Sequence, residues 1–176
     1  MATATKWVID PTHSEIQFKV KHLVISTVTG SFKSFEGTVE TETEDFDGAT
    51  VNFSADTSSI DTNQSQRDEH LKSADFFDAE THPKLSFSGV LVSTGDDTFA
   101  LKGDLTVKGI TKPFEFKAEY GGSMTDFYGN NKSGFEISGK INRKEFGLEW
   151  SAVTEAGGVV VGDEVKLVAN VQIVKQ

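Results

Sequence analysis

Along most of this chain apolar and polar side chains alternate one by one, the pattern of strands with one dry and one wet face. In four stretches a glycine occupies the dry side: Phe35, Gly37 and Val39; Leu85, Phe87, Gly89 and Leu91; Leu101, Gly103, Leu105 and Val107; and Phe135, Ile137, Gly139 and Ile141. Glycine weakens a strand there, so its repetition predicts either a sheet curled tightly on itself or a backbone that something approaches closely. Both readings lead to a closed barrel with space inside. The plainer alternative is that these glycines only permit corners or bulges.

The strand signals recur at regular intervals. Ile16, Phe18, Val20 and His22 share one face of a strand whose other face is Glu15, Gln17, Lys19 and Lys21. The chain returns between Gly30 and Val39, where Ser34 followed by Phe35 breaks the parity, as a bulge does. Acidic residues from Glu40 to Asp47 end in an Asp47-Gly48 turn before Val51, Phe53 and Ala55. Later strands centre on Phe87, Leu101, Phe116, Phe135 and Leu167, with turns at Gly95-Asp96-Asp97, Gly121-Gly122, Gly129-Asn130-Asn131 and Gly157-Gly158. The expected fold is all-β, roughly eight antiparallel strands with short links forming a barrel.

One segment leaves the period of two. Asn63 to Lys72 contains good helix formers, Asn63 or Ser65 can cap its start, Phe76-Phe77-Asp78 follows, and Pro83 ends the excursion. A short helix over about residues 63–77 either covers one open end of the barrel or packs outside it as a crossover.

With 176 residues the chain is expected to form one domain over 1–176. No apolar run approaches the roughly 20 residues of a membrane-spanning helix, so no integral membrane segment is expected. Met1 to Asp10 lack the apolar block of a secretory leader, which predicts a cytoplasmic protein, or a periplasmic one whose leader has been removed. The 17 basic and 27 acidic residues give a formal net charge of −10, which disfavours nucleic acid as a partner.

Catalytic and metal motifs are sparse. Cysteine is absent, and His13, His22, His70 and His82 are scattered without metal-ligand spacing. There is neither a Gly-x-Ser-x-Gly elbow nor a phosphate-binding loop. Asp68 with His70 is the best candidate dyad in a chain too acidic for carboxylate pairs to be informative. The expectation is therefore no enzyme, no catalytic residue, no metal and no cofactor.

Several motifs in order carry a resemblance to a known family. They are Asp10, His13 and Ser14; Lys21-His22; Gly30-Ser31-Phe32; Ser59-Ile60; Arg67-Asp68 and His70-Leu71; Phe76-Phe77-Asp78 and Pro83. Gly103 to Pro113, Arg143, Phe146-Gly147-Leu148 and Val161 to Val165 follow. Nearly end to end, the chain resembles the YceI-like family of polyisoprenoid-binding proteins. That resemblance implies a lipocalin-like antiparallel barrel whose apolar interior takes up a polyisoprenoid, quinone or fatty-acid-like lipid, and it implies a homodimer. Many members of the family are exported to the periplasm.

On this reading inward parity assigns a lipid tail to Phe18, Val20, Phe32, Phe53, Phe87, Leu101, Gly103, Leu105, Phe116, Phe135, Ile137, Gly139 and Leu167. A ten-residue strand is roughly 33 Å long, a fair match for an extended prenyl tail. The head group falls to His22, Arg67 and His70. His22 ends an apolar row, where it either meets a ligand or satisfies a backbone carbonyl. Arg67 and His70, three apart on the helix, either meet a phosphate or carboxylate at the mouth or, for Arg67, pair with Asp61 or Asp78. Arg143 is expected to anchor a loop. The alternatives to a lipid carrier or buffer are an enzyme acting on the bound lipid and a structural or stress-response module without ligand.

Overall fold

A computed structural model describes residues 4–22, 26–42, 45–74, 76–148 and 161–176, with the side chains of His22 and Val161 outside that set. The turn expected at Gly157-Gly158 lies outside the described residues.

Eleven strands form among the described residues: β1 (Thr5–Ile9), β2 (Glu15–His22), β3 (Ser26–Phe32), β4 (Phe35–Thr41), β5 (Thr50–Asp56), β6 (Ile60–Asp61), β7 (Lys84–Gly95), β8 (Thr98–Val107), β9 (Ile110–Thr125), β10 (Asn131–Asn142) and β11 (Val161–Lys175). Three pairs of them are single staves with an interruption. β1 and β2 both run antiparallel to β11, with Ile9 opposite Ile173 and Glu15 opposite Asn170, and a short turn at Pro11–His13 divides them. β3 and β4 are divided at Lys33 and Ser34, the position of the expected parity break. β5 pairs with β4 and β6 with β3, and Thr57–Ser59 divides them.

Eight antiparallel staves result, and they close. β4, β5, β7, β8, β9, β10 and β11 follow one another across the sheet, and β1 bonds β11 on one side and β4 on the other, Trp7 lying opposite both Lys175 and Val39. The fold is an all-β, eight-stave closed barrel with one helix, as the alternation predicts. Closure leaves few unpaired backbone edges.

Turn chemistry fixes the hairpins. Between β8 and β9, Lys108 (φ 52°) and Gly109 (φ 76°) both adopt the left-handed conformation that a two-residue hairpin turn requires. At the Pro11–His13 turn, Asp10 holds the interrupted stave. Its carboxylate accepts from the Thr12 amide at 3.0 Å, the Thr12 hydroxyl at 2.7 Å and His13 Nδ1 at 2.7 Å, and it faces Lys132 at 3.7 Å. These hydrogen bonds, His13 first and the Thr12 hydroxyl next, hold the Asp10 carboxyl well below the usual carboxylate range.

The helix α1 (Ser65–Lys72) is shorter than the 63–77 excursion expected, and neither Asn63 nor Ser65 caps it; the cap position is Gln64, whose side chain makes no capping bond. Asn63 instead makes the turn before it, at φ 67°. The start of α1 is held by Thr62, which is buried. Asp68 Oδ1 accepts from the Thr62 amide at 2.8 Å and from its hydroxyl at 2.5 Å, while Arg67 donates to the Thr62 hydroxyl at 2.7 Å and carbonyl at 2.6 Å.

The core is the barrel interior. The end that carries α1, the β8–β9 turn and Asn142 is here the helix end; the opposite end carries the β4–β5 connection, the β7–β8 turn, the β9–β10 turn and Lys175.

Candidate functional site

The barrel encloses a cavity of about 560 Å³. That volume lies inside the range of roughly 300–1,000 Å³ over which small-molecule sites occur. Its wall follows the parity rule for the apolar rows of β2, β5, β7, β8, β10 and β11, which converge on one space, while Gln17, Lys21, Thr38, Asn52 and Val168 join it from the other parity. Phe18, Val20, Phe32, Phe53, Phe87, Leu101, Leu105, Phe116, Phe135, Ile137 and Leu167 all line it, as their parity requires.

Two positions assigned to the wall lie elsewhere. A Cβ on Gly103 would overlap the Ser88 carbonyl oxygen and stand 2.5 Å from Gly89 Cα, because Gly89 and Gly103 sit opposite each other where β7 and β8 bend together. A Cβ on Gly139 would lie 2.9 Å from Phe114 Cε1 and 3.0 Å from Phe116 Cδ1. What approaches these backbones closely is the protein itself. Gly37 under Ile9 and Gly30 under the Phe18 ring repeat the device, a large side chain covering a facing glycine. The glycines therefore serve curvature and ring packing, and the cavity lies between the large residues that flank them.

Polarity is unevenly distributed along the wall. Apart from Gln17, Thr38 and Asn52, the polar lining residues belong to the helix end: Lys21, Gln64, Gln66, Arg67, His70 and Arg143. α1 therefore lies against the cavity at that end. Arg67 and His70 share the cavity-facing side of α1, as their spacing predicts. Arg67 is anchored on Thr62 rather than on Asp61 or Asp78. The His70 ring stands edge-on to Phe76 with centroids 5.2 Å apart. Asp68, the other half of the candidate dyad, is engaged with Thr62. The backbone of His22 pairs with Ser26 and Val161, and its side chain lies outside the described residues.

Arg143 does more than precede a loop. It is 2% exposed, donates through Nε to Gly162 O at 2.8 Å and through Nη1 to Leu148 O at 2.5 Å, and its guanidinium stands 6.0 Å from the Phe76 ring centre. Burial lowers its pKa from the ordinary value, and the nearby Asp163 carboxylate works in the opposite direction. It joins the end of β10 to the start of β11 and places a buried cation on the cavity wall.

Several wall residues lie beyond the sequence assignment: Leu91, Ile141, Val171 and Ile173, together with Phe76, Phe77 and Leu148. The first four were within reach of the same parity, since they continue the rows of Phe87, Ile137 and Leu167 by two-residue steps. Phe76, Phe77 and Leu148 come from irregular segments, where no period applies.

At the end opposite α1 the cavity stops. Phe46, 5% exposed, packs among Trp7, Tyr120 and Phe135 with ring centroids 5.4, 5.8 and 5.0 Å away. Of these four rings only Phe135 faces the cavity. The site is thus a blind apolar tunnel with a polar fringe beside a short helix.

Comparison with known proteins agrees with this architecture. A UPF0312 protein of Staphylococcus epidermidis is 38% identical over 169 residues, 96% of each chain. The crystal structure of a Campylobacter jejuni YceI protein superposes with a TM-score of 0.74 at 29% identity, over 90% of this chain and 91% of that one. A polyisoprenoid binding domain from Saccharophagus degradans, implicated in plant cell wall breakdown, shares the fold with a TM-score of 0.72 at 12% identity, over 97% and 98% of the two chains. The family model described as the YceI-like domain matches residues 7–173, and the chain belongs to that family.

Proposed function

We propose that the barrel binds one long-chain apolar lipid, a polyisoprenoid, quinone or similar molecule, with its tail in the tunnel and its head at the α1 end. The observation that carries this reading is the blind cavity of about 560 Å³, lined mainly by apolar side chains, with all the charged lining residues among those described at the α1 end. The polyisoprenoid-binding neighbour, alike in fold, adds support. Arg67, His70 and the buried Arg143 line the cavity at the end where a head would sit.

A carrier or buffer follows from the energetics. Burial is worth about 0.8 kcal/mol per methylene, so moving a tail of twenty or more carbons out of water nominally gains about 16 kcal/mol or more, near the ceiling of about 18–21 kcal/mol for non-covalent binding. Such a lipid never resides free in water. The physiological exchange is between membrane and barrel, two apolar surroundings whose difference is small, and a small difference permits both loading and unloading.

Mass spectrometry of an organic extract of the purified protein, beside native mass spectrometry of the intact chain, tests the reading. A stoichiometric prenyl lipid, quinone or fatty-acid-like molecule is expected. A chain that is purified empty and takes up none of these when offered refutes it.

A further inference from the structure

Among the described residues the cavity wall carries one sign of charge. The chain has 27 acidic and 17 basic residues, yet no aspartate or glutamate lines the cavity, whereas Lys21, Arg67 and Arg143 do, all at the α1 end. An apolar wall accounts for few charges of either sign, but not for cations without anions. The net charge of −10 repels an anion at long range, so a site that accepts one needs carboxylates kept off its wall and a cation fixed on it.

The three cations differ in what already surrounds them. Lys21 is exposed and solvated. Arg143 serves the fold, donating to Gly162 O and Leu148 O and standing 3.8 Å from the Asp163 carboxylate. Arg67 is half-buried, and its Nε and Nη2 donate to the hydroxyl and carbonyl oxygens of Thr62 at 2.7 and 2.6 Å. Both acceptors are neutral. Asp68, its neighbour in sequence, is directed to Thr62, and among the described residues no carboxylate lies within ion-pairing distance of Arg67. Nη1 keeps both of its N–H groups for another acceptor. Because Thr62 is buried, the guanidinium is held in one orientation on the wall.

We propose that the lipid carries an anionic head, a phosphate or a carboxylate, and that Arg67 selects it over a neutral quinone or alcohol; this rests on the lipid-binding reading above. A neutral oxygen accepts a hydrogen bond from Nη1, but only an anion also compensates the charge beside an apolar space. The margin of a charge-assisted bond over a neutral one corresponds to a preference of about tenfold or more.

The experiment offers two pairs of lipids that differ in the head alone: farnesyl phosphate with farnesol, and palmitate with hexadecanol. Each is presented from the same non-ionic detergent micelle at a pH that ionises both acids, and the bound fraction is read by native mass spectrometry. In the parent protein at least one anion should exceed its neutral partner about tenfold. In Arg67→Gln, which keeps an amide donor for Thr62, that preference should fall to within about threefold, and Arg67→Met serves where glutamine prevents folding. Each result is a ratio within one protein, so a loss of folded material cancels. Preference in the phosphate pair alone assigns a phosphate head, preference in the other pair alone a carboxylate, and preference in both the shared anion. Equal uptake within both pairs, or a preference that the neutral variants leave in place, overturns the assignment of Arg67 while the lipid-binding reading stands. Failure of the parent protein to take up any of the four overturns both.

Discussion

Gly103 and Gly139 share inward parity in two strands, yet their surroundings predict different responses to the same substitution. Adding a methyl at Gly103 drives it into backbone: its Cβ would overlap the Ser88 carbonyl oxygen and lie 2.5 Å from Gly89 Cα and 2.7 Å from the Ser88 carbonyl carbon. Neither partner can rotate away, so the β7–β8 pairing itself must open. Overpacking in cores costs typically 1–3 kcal/mol, and a backbone-limited case belongs at the top of that range, about 3 kcal/mol. At Gly139 the methyl meets the edges of two rings, Phe114 Cε1 at 2.9 Å and Phe116 Cδ1 at 3.0 Å. Phe114 and Phe116 are half-buried, and Phe116 borders the cavity, so the rings can shift by a few tenths of an ångström into open space. The expected cost of Gly139→Ala is about 1 kcal/mol. For a domain of this size each kcal/mol shifts Tm by about 2–4 °C, so Gly103→Ala should melt about 6–12 °C below the parent and Gly139→Ala about 2–4 °C below it. Reversible thermal denaturation followed by circular dichroism measures both. A Gly103→Ala protein that melts within about 2 °C of the parent, or an inverted order of the two, refutes the assignment of Gly103 to a backbone corner.

Two further outcomes follow from the polar anchors. Asp10 has a depressed folded-state pKa, so its contribution to stability is present in full above the unfolded value of about 3.9 and is lost as pH falls toward the folded one. Urea midpoints between about pH 7 and pH 3 should therefore decline below about pH 4, and Asp10→Asn should lower stability at neutral pH while flattening that decline; an unchanged acid limb contradicts the anchoring role. At Thr62, loss of the hydroxyl in Thr62→Val removes bonds to both Arg67 and Asp68, worth about 1–2 kcal/mol, so amide exchange across α1 should accelerate about five- to thirtyfold with β7–β11 unaffected. Unaltered exchange in α1, or loosening of the whole barrel, would count against Thr62 as a local clamp.

The architecture was legible because one physical rule governs most of the chain. A period of two assigns each residue to a face without reference to its neighbours in space, and Phe87, Leu101, Phe116, Phe135 and Leu167 lie in the strands their alternation marks. The parity break at Ser34 was legible for the same reason. What the rule lacks is curvature. Gly37, Gly89, Gly103 and Gly139 have inward parity, but whether the space beside each is open or filled depends on which strand lies opposite and how sharply the pair bends. Gly89 faces Gly103 across β7 and β8, a cross-strand coincidence that no local window contains.

The tunnel was legible in its walls and illegible at its ends. Parity identifies the dry face but not depth, so Phe18 beside the helix end and Phe135 beside the floor look alike in sequence. Both ends are bordered by irregular segments: Phe76, Phe77 and α1 at one, and at the other Phe46, which packs behind Phe135. Phe46 stands in the acidic run from Glu40 to Asp47, where composition suggests a solvated turn. It is buried because its flanking backbone bonds to β7 through Gly48 and Ala49, which turns the ring inward onto Trp7, Tyr120 and Phe135. A single aromatic residue inside a polar run is thus ambiguous in one dimension and decisive in three. Alternation along the staves builds the dry wall, and Phe46, the residue that alternation does not reach, packs behind Phe135 where that wall ends.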